Sequence, residues 1–168
     1  VRDLVYGTLV LSGNDAAWAL AEAVSGNVNK FVKLMNKTAK NIGCENTHFS
    51  NPNGMDENDH YSTAYDMMLI TKLALSNETI REAAGTVKYK MDATNKSDKR
   101  VMKTHVPLIG EKNSDYYAGK TGYWDDNNCS IVLGYENNGL QLCVVVLDAT
   151  KDEREKDVKK ITEYTSKK

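Results

Sequence analysis

Lys120-Thr121-Gly122 sets a cation, a hydroxyl and a bare backbone position in succession. The tripeptide follows an apolar-aromatic stretch and precedes a second strand-like run, an arrangement suited to an anion-binding strand edge. Lys120 and Thr121 there offer charge-assisted hydrogen bonds to a carboxylate, and Gly122 lets a ligand backbone approach closely. Taken alone, such a lysine is equally a solvated edge charge. A second polar motif, Ser12-Gly13-Asn14, stands between two apolar helical stretches and continues as Asp15-Ala16-Ala17. Ser and Asn in that setting also serve as helix caps and turn residues.

Motifs of these two types accompany a Ser-x-x-Lys in β-lactamases and penicillin-binding proteins. Further blocks lie between them in order: Phe31-Val32-Lys33-Leu34-Met35-Asn36, then Asn46-Thr47-His48-Phe49-Ser50-Asn51-Pro52-Asn53-Gly54-Met55, then His60-Tyr61-Ser62-Thr63-Ala64-Tyr65-Asp66-Met67. With Gly119 to Tyr123 downstream, the chain resembles the serine-type D-alanyl-D-alanine carboxypeptidases, the low-molecular-weight penicillin-binding proteins, from about Val1 to the last helix. The resemblance implies an α+β, β-lactamase/transpeptidase-like fold, with a helical lobe beside a small antiparallel sheet and the site in the cleft between them. It also implies roles. Ser12 relays a proton near the nucleophile and leaving group, and Asn14 holds the substrate peptide and the general-base lysine. Lys120 and Thr121 read the terminal D-alanine carboxylate, Gly122 lets the substrate backbone approach, and the Tyr123 backbone N–H is half of the oxyanion hole.

The element that would carry the nucleophile is missing, since no internal serine is followed by a lysine three residues later. Thr165 and Lys168 have that spacing, but in a charged C-terminal helix where no pocket is expected. Only eleven residues precede Ser12, so the chain is expected to be an excised, inactive part of a carboxypeptidase, lacking the nucleophile helix and N-terminal strands. On this reading residues 1–168 are one partial peptidase domain, mainly helical over 1–85, with the sheet and closing helix over 86–168. The partners of the full-length parent would be peptidoglycan stem peptides and β-lactams, outside the cytoplasm in a bacterial cell envelope. A sheet short of strands would expose an edge and favour dimerisation or swapping. The alternative is a nucleophile-less domain that binds peptidoglycan peptides or acts as a scaffold. A class A β-lactamase is weaker, because no glutamate is followed by asparagine four residues later. The pattern also departs from the family at Tyr123-Trp124-Asp125-Asp126, which alters the cleft rim, and at Thr104 to Ile109.

Composition narrows the field. The 168 residues, 40% hydrophobic, suffice for one core. A formal net charge of −1 gives no electrostatic case for nucleic acid. No run approaches the roughly 18 apolar residues that read as a membrane span. No metal or cofactor is expected, since His48, His60 and His105 do not cluster with Cys44, Cys129 and Cys143. The cysteines read as small buried apolar residues, although Cys129 and Cys143, on strands joined by a short turn, could be neighbours.

The elements that must position these residues follow from periodicity. Val1 to Leu11 reads as the end of a helix, broken at Ser12-Gly13, with further helices at Asp15 to Val24 and Val28 to Ile42. Val28, Phe31, Val32, Met35, Ala39 and Ile42 form a stripe read as core, ended by Gly43. Residues 44–60 read as a long irregular loop bordering the site. Thr63 to Asp66 has capping-box spacing, with Asp66 a cap. Helices to about Ser76 and over Glu78 to Ala84 come next, then a strand pair at Thr86 to Met91 and Arg100 to Val106. A strand ending at Lys120 joins Ile131 to Tyr135 and Leu140 to Leu147 in an antiparallel sheet, the last two linked by an Asn-Gly turn. Asp152 to Lys168 closes the chain as a helix packed through Val158, Ile161 and Tyr164.

Overall fold

A computed structural model describes residues 1–112 and 114–166. The Lys168 end of the predicted closing helix, and with it the Thr165-x-x-Lys168 spacing, lies outside the described residues. The chain runs α1 (Arg2–Leu9), α2 (Asn14–Ser25), α3 (Val28–Asn41), α4 (Ala64–Ser76), α5 (Glu78–Ala84), β1 (Lys88–Met91), β2 (Arg100–Lys103), β3 (Tyr116–Tyr123), β4 (Cys129–Asn137), β5 (Leu140–Ala149) and α6 (Lys151–Ser166). This is the expected α+β arrangement.

Local chemistry sets most boundaries. Gly26, at φ +76°, ends α2, and the Asn27 side chain accepts the Lys30 N–H to start α3. Thr63 and Asn77 cap α4 and α5 in the same way. Asn138 at φ +48° and Gly139 at φ +81° form the two-residue turn of the β4–β5 hairpin, the mirror-image geometry whose twist suits antiparallel strands.

The sheet has the order β3-β4-β5, all antiparallel, with β1 and β2 in a separate hairpin. Because side chains alternate along a strand, β4 presents Ile131, Leu133 and Tyr135 to α6. There they pack with Val158, Val144, Val106, Leu108 and Ile109. The opposite face meets α4 and α5, with Ala118 packed against Leu75 and Ala84. Gly119 pairs with Leu133, and Lys120 with Val132, so Lys120 leaves the sheet on the face of the helical lobe. The β1–β2 hairpin is clamped to α1, where Tyr6 stacks on Tyr89 at 3.9 Å and Tyr89 donates to Asp3 at 2.6 Å.

Several sequence expectations are corrected. The α3 stripe is not core, because only Ala39 is buried on that helix and the rest of the stripe is half-exposed. Helix α6 packs through Arg154, Val158 and Thr162, not through Ile161 and Tyr164, which are exposed. The buried residues follow an i, i+4 ladder, in which Thr162 meets the Tyr116 hydroxyl at 2.8 Å. Strand β3 runs on to Tyr123 rather than ending at Lys120. Cys129 pairs with Ala149 and Cys143 with Gly134, so these cysteines are not neighbours; Cys44 and Cys129 are buried and Cys143 half-buried. The segment 104–109 places Val106, Leu108 and Ile109 in the core beneath the sheet.

Asp66 is more than a cap. Its N–H is held by Thr63 at 3.1 Å, while its carboxylate accepts from Asn46 N at 2.8 Å and Thr47 Oγ1 at 2.7 Å. The hydrogen bond from Thr47 holds its pKa below the ordinary carboxylate value, against the opposing effect of burial. Asp66 thus ties the base of the 44–62 loop to the start of α4. That loop is irregular, as expected, and is closed at its base by an isolated β-bridge between His48 and Tyr61.

Candidate active site

The turn between α1 and α2 presents Ser12 at φ +60°, a left-handed conformation uncommon for a residue with a side chain. The next residue leaves little room. Gly13 N donates to Gly7 O at 2.9 Å, and a Cβ on Gly13 would come within 3.0 Å of Asp15 Oδ1 and 3.3 Å of Gly7 O. Such a turn aims the Ser12 hydroxyl at β3. Lys120 Nζ donates to Ser12 Oγ at 2.6 Å and to Thr121 O at 2.6 Å. Residues 108 positions apart therefore meet in one cluster.

Lys120 bonds to two neutral oxygens and gains no counter-charge from either. Burial lowers its pKa, and the nearby Arg154 guanidinium lowers it further, to about 8. Arg154, on the buried face of α6, donates through Nη1 to Gly122 O at 3.4 Å, and its Nη2 lies 3.7 Å from Glu155. Its Nε is buried without a hydrogen-bond partner among the described residues. Two cations thus lie at the Lys-Thr-Gly strand, Lys120 bonded to Ser12 and Thr121 O and Arg154 to Gly122 O.

Gly122 opens this strand to solvent, since a Cβ there would find only Ser130 Cβ, at 3.5 Å. Beyond it, Tyr123 is exposed. Its hydroxyl donates to Asp126 Oδ1 at 3.1 Å, and the Lys151 ammonium lies 6.0 Å from its ring centroid. The β3–β4 turn is held by Asp125, which accepts from Asn127 N and Asn128 Nδ2 at 2.8 Å each. Asn14 opens α2 and is exposed; its amide faces the 44–62 loop, with Nδ2 3.8 Å from Met55 Sδ, rather than Lys120.

Residues 1–151 match the model of the D-alanyl-D-alanine carboxypeptidase family. The chain belongs to that family. Members are serine-type peptidases. A D-alanyl-D-alanine carboxypeptidase, DacF, of Bacillus subtilis is 35% identical over 98% of this chain and 42% of its own length. The D-alanyl-D-alanine carboxypeptidase of Streptomyces sp. K15 is 32% identical over 98% of this chain and 60% of its own. Among solved structures, the Streptomyces K15 DD-transpeptidase superposes with a TM-score of 0.89 at 30% identity, covering 98% of this chain and 66% of that one. The chain thus spans between two and three fifths of the length of these two curated relatives.

Within this carboxypeptidase family chain, sequence reasoning named Ser12, Lys120 and Thr121; the fold brings Ser12 to Lys120, whose ammonium also reaches the Thr121 backbone carbonyl. It found Asn14, Gly122 and Tyr123, which stand around them without touching Lys120. It missed Arg154. The available signal was its place four residues before Val158, but a charged residue in the run Lys151 to Lys160 looks like a solvated face.

Proposed function

We propose that this chain forms the Lys-Thr-Gly side of the cleft of a penicillin-binding carboxypeptidase that removes the terminal D-alanine from peptidoglycan stem peptides. The carrying observation is the 2.6 Å contact between Lys120 and Ser12, beside a second cation, Arg154, whose Nε has no acceptor among the described residues. Lys120, Thr121 and Arg154 hold the terminal carboxylate, and Gly122 lets the peptide lie along β3. Ser12, which accepts from Lys120, relays a proton near the nucleophile and leaving group. Asn14 holds the substrate peptide, and Tyr123 N–H donates to the oxyanion. In the full-length parent a serine would attack the carbonyl between the two D-alanines, release the terminal D-alanine with a proton, and be freed by water. The parent acts outside the cytoplasm, in a bacterial envelope, where β-lactams would occupy the same cleft.

The sequence holds no internal Ser-x-x-Lys, so the chain by itself is inactive. That absence also supports the second reading, a domain that binds peptidoglycan peptides or scaffolds without catalysis. Labelling with a fluorescent penicillin separates the possibilities. The 168-residue chain gives no covalent adduct, while the product of the whole reading frame is labelled and loses that labelling on Lys120→Ala. A stable, stoichiometric adduct on the short chain overturns the account of the missing nucleophile, and an unlabelled full-length product favours the non-catalytic reading.

A further inference from the structure

The 44–62 loop carries buried polar and titratable groups that the Lys-Thr-Gly cluster does not use. Asn51, 3% exposed, donates from Nδ2 to Met55 O at 2.8 Å and to Glu57 Oε1 at 3.0 Å, and accepts from Gly54 N at 2.8 Å. The loop tip is therefore one hydrogen-bonded unit, and its Met55 sulfur meets Asn14 Nδ2. At the base of the tip, Ser50 N donates to His60 Nδ1 at 3.1 Å, and the Phe49 ring lies edge-on to the imidazole at 5.6 Å. A ring nitrogen that accepts an N–H carries no proton, whereas imidazolium presents donors at both nitrogens. Protonation at Nδ1 would set N–H against N–H.

We propose that His60 is a positioning residue for Asn14: its neutral ring, by accepting the Ser50 amide, keeps the loop tip and Met55 on Asn14, and protonation releases them. The charges bearing on the ring all come from the same loop. Burial is the leading influence and lowers the pKa of His60 below 6.5, Glu57 and Asp56 oppose that shift, and His48 adds to it. A ring harder to protonate in the closed loop than in an open one favours closure fully above the free value. That preference is lost as pH falls through the lowered one. The inference takes from the proposed function only that Asn14 borders the cleft.

The experiment is NMR on the isotope-labelled 168-residue chain, following the His60 ring, the Met55 methyl and the Asn14 side-chain amide from about pH 7.5 to 4.5, the range in which histidine titrates. The Met55 and Asn14 signals are expected to shift with the midpoint of His60, and to follow that midpoint upward in His48→Asn, where the lowering influence of His48 is gone. His60→Asn sets a non-titrating acceptor at the Nδ1 position and is expected to hold both signals at their neutral-pH positions throughout. Met55 and Asn14 signals that stay still while His60 titrates overturn the proposal, as does an unaltered transition in His60→Asn. If His60→Asn fails to fold, the coincidence of midpoints in the wild type and in His48→Asn decides. Because none of these readouts needs catalysis, failure of this coupling is distinguishable from failure of the carboxypeptidase reading.

Discussion

Lys120 lies between two demands. In the proposed function its charge meets a carboxylate, yet burial and Arg154 both push its pKa down, to about 8. A depressed lysine pKa means that the ammonium form is lost as pH rises through that value. Binding of a peptide ending in D-Ala-D-Ala to the isolated chain is accordingly expected to weaken as pH climbs from 7 through about 8 and beyond. Calorimetry at a series of pH values checks this, and affinity that is flat over the range contradicts it. Arg154→Met removes the opposing cation, so the Lys120 pKa is expected to rise toward its ordinary value. The same change is expected to weaken peptide binding by roughly tenfold, the loss of one hydrogen bond to a charged group. Ser12 and Lys120 were legible in the sequence because motif and residue type name them. Arg154 was not, since nothing local distinguishes a buried arginine from its solvated neighbours on α6.

Strand β3 carries two glycines with opposite duties. A Cβ at Gly119 would come within 2.5 Å of Leu133 Cδ2 and 2.6 Å of Val132 O, so Gly119→Ala drives a methyl into the β4 neighbour. It is expected to destabilise the chain by about 1–3 kcal/mol, measured by urea denaturation. At Gly122 the space is open apart from Ser130. Gly122→Ala is expected to leave the urea midpoint nearly unchanged and to weaken peptide binding, because it narrows the approach to the strand. Equal destabilisation by both substitutions would refute the division of labour. The elements themselves were mostly readable. Asn27, Thr63 and Asn77 announce their helices as caps, and Asn138-Gly139 announces its hairpin. The buried faces were less so. Apolar spacing selected Ile161 and Tyr164 on α6, whereas the sheet buries Arg154 and Thr162, whose polar ends find partners in Gly122 O and Tyr116. A pattern that counts apolar residues cannot see a polar side chain that the tertiary fold buries.

At the scale of the whole molecule, β5 has one strand neighbour, β4, among the described residues. Its faces meet α4 and α6, and Leu142 to Leu147 includes no charge or proline to blunt the edge. Self-association through this edge is the expected outcome, seen as a dimer or larger species by size-exclusion chromatography with light scattering, growing with concentration. A compact monomer at every concentration counts against it. No described helix is long and apolar enough to cross a membrane.

The sequence by itself determined the order of the motifs, the break at Ser12-Gly13, the hairpin turn and the family resemblance, because each depends on residue type within a few positions. Only the tertiary structure decided that Lys120 leaves the sheet toward Ser12, 108 residues away. It alone decided that Arg154 sits behind the same strand, and that Asp66 and Asn51 turn a polar loop into a wall beside Asn14. These are matters of desolvation and charge separation across space. They depend on strand register and on which face a helix buries, and no local period records either.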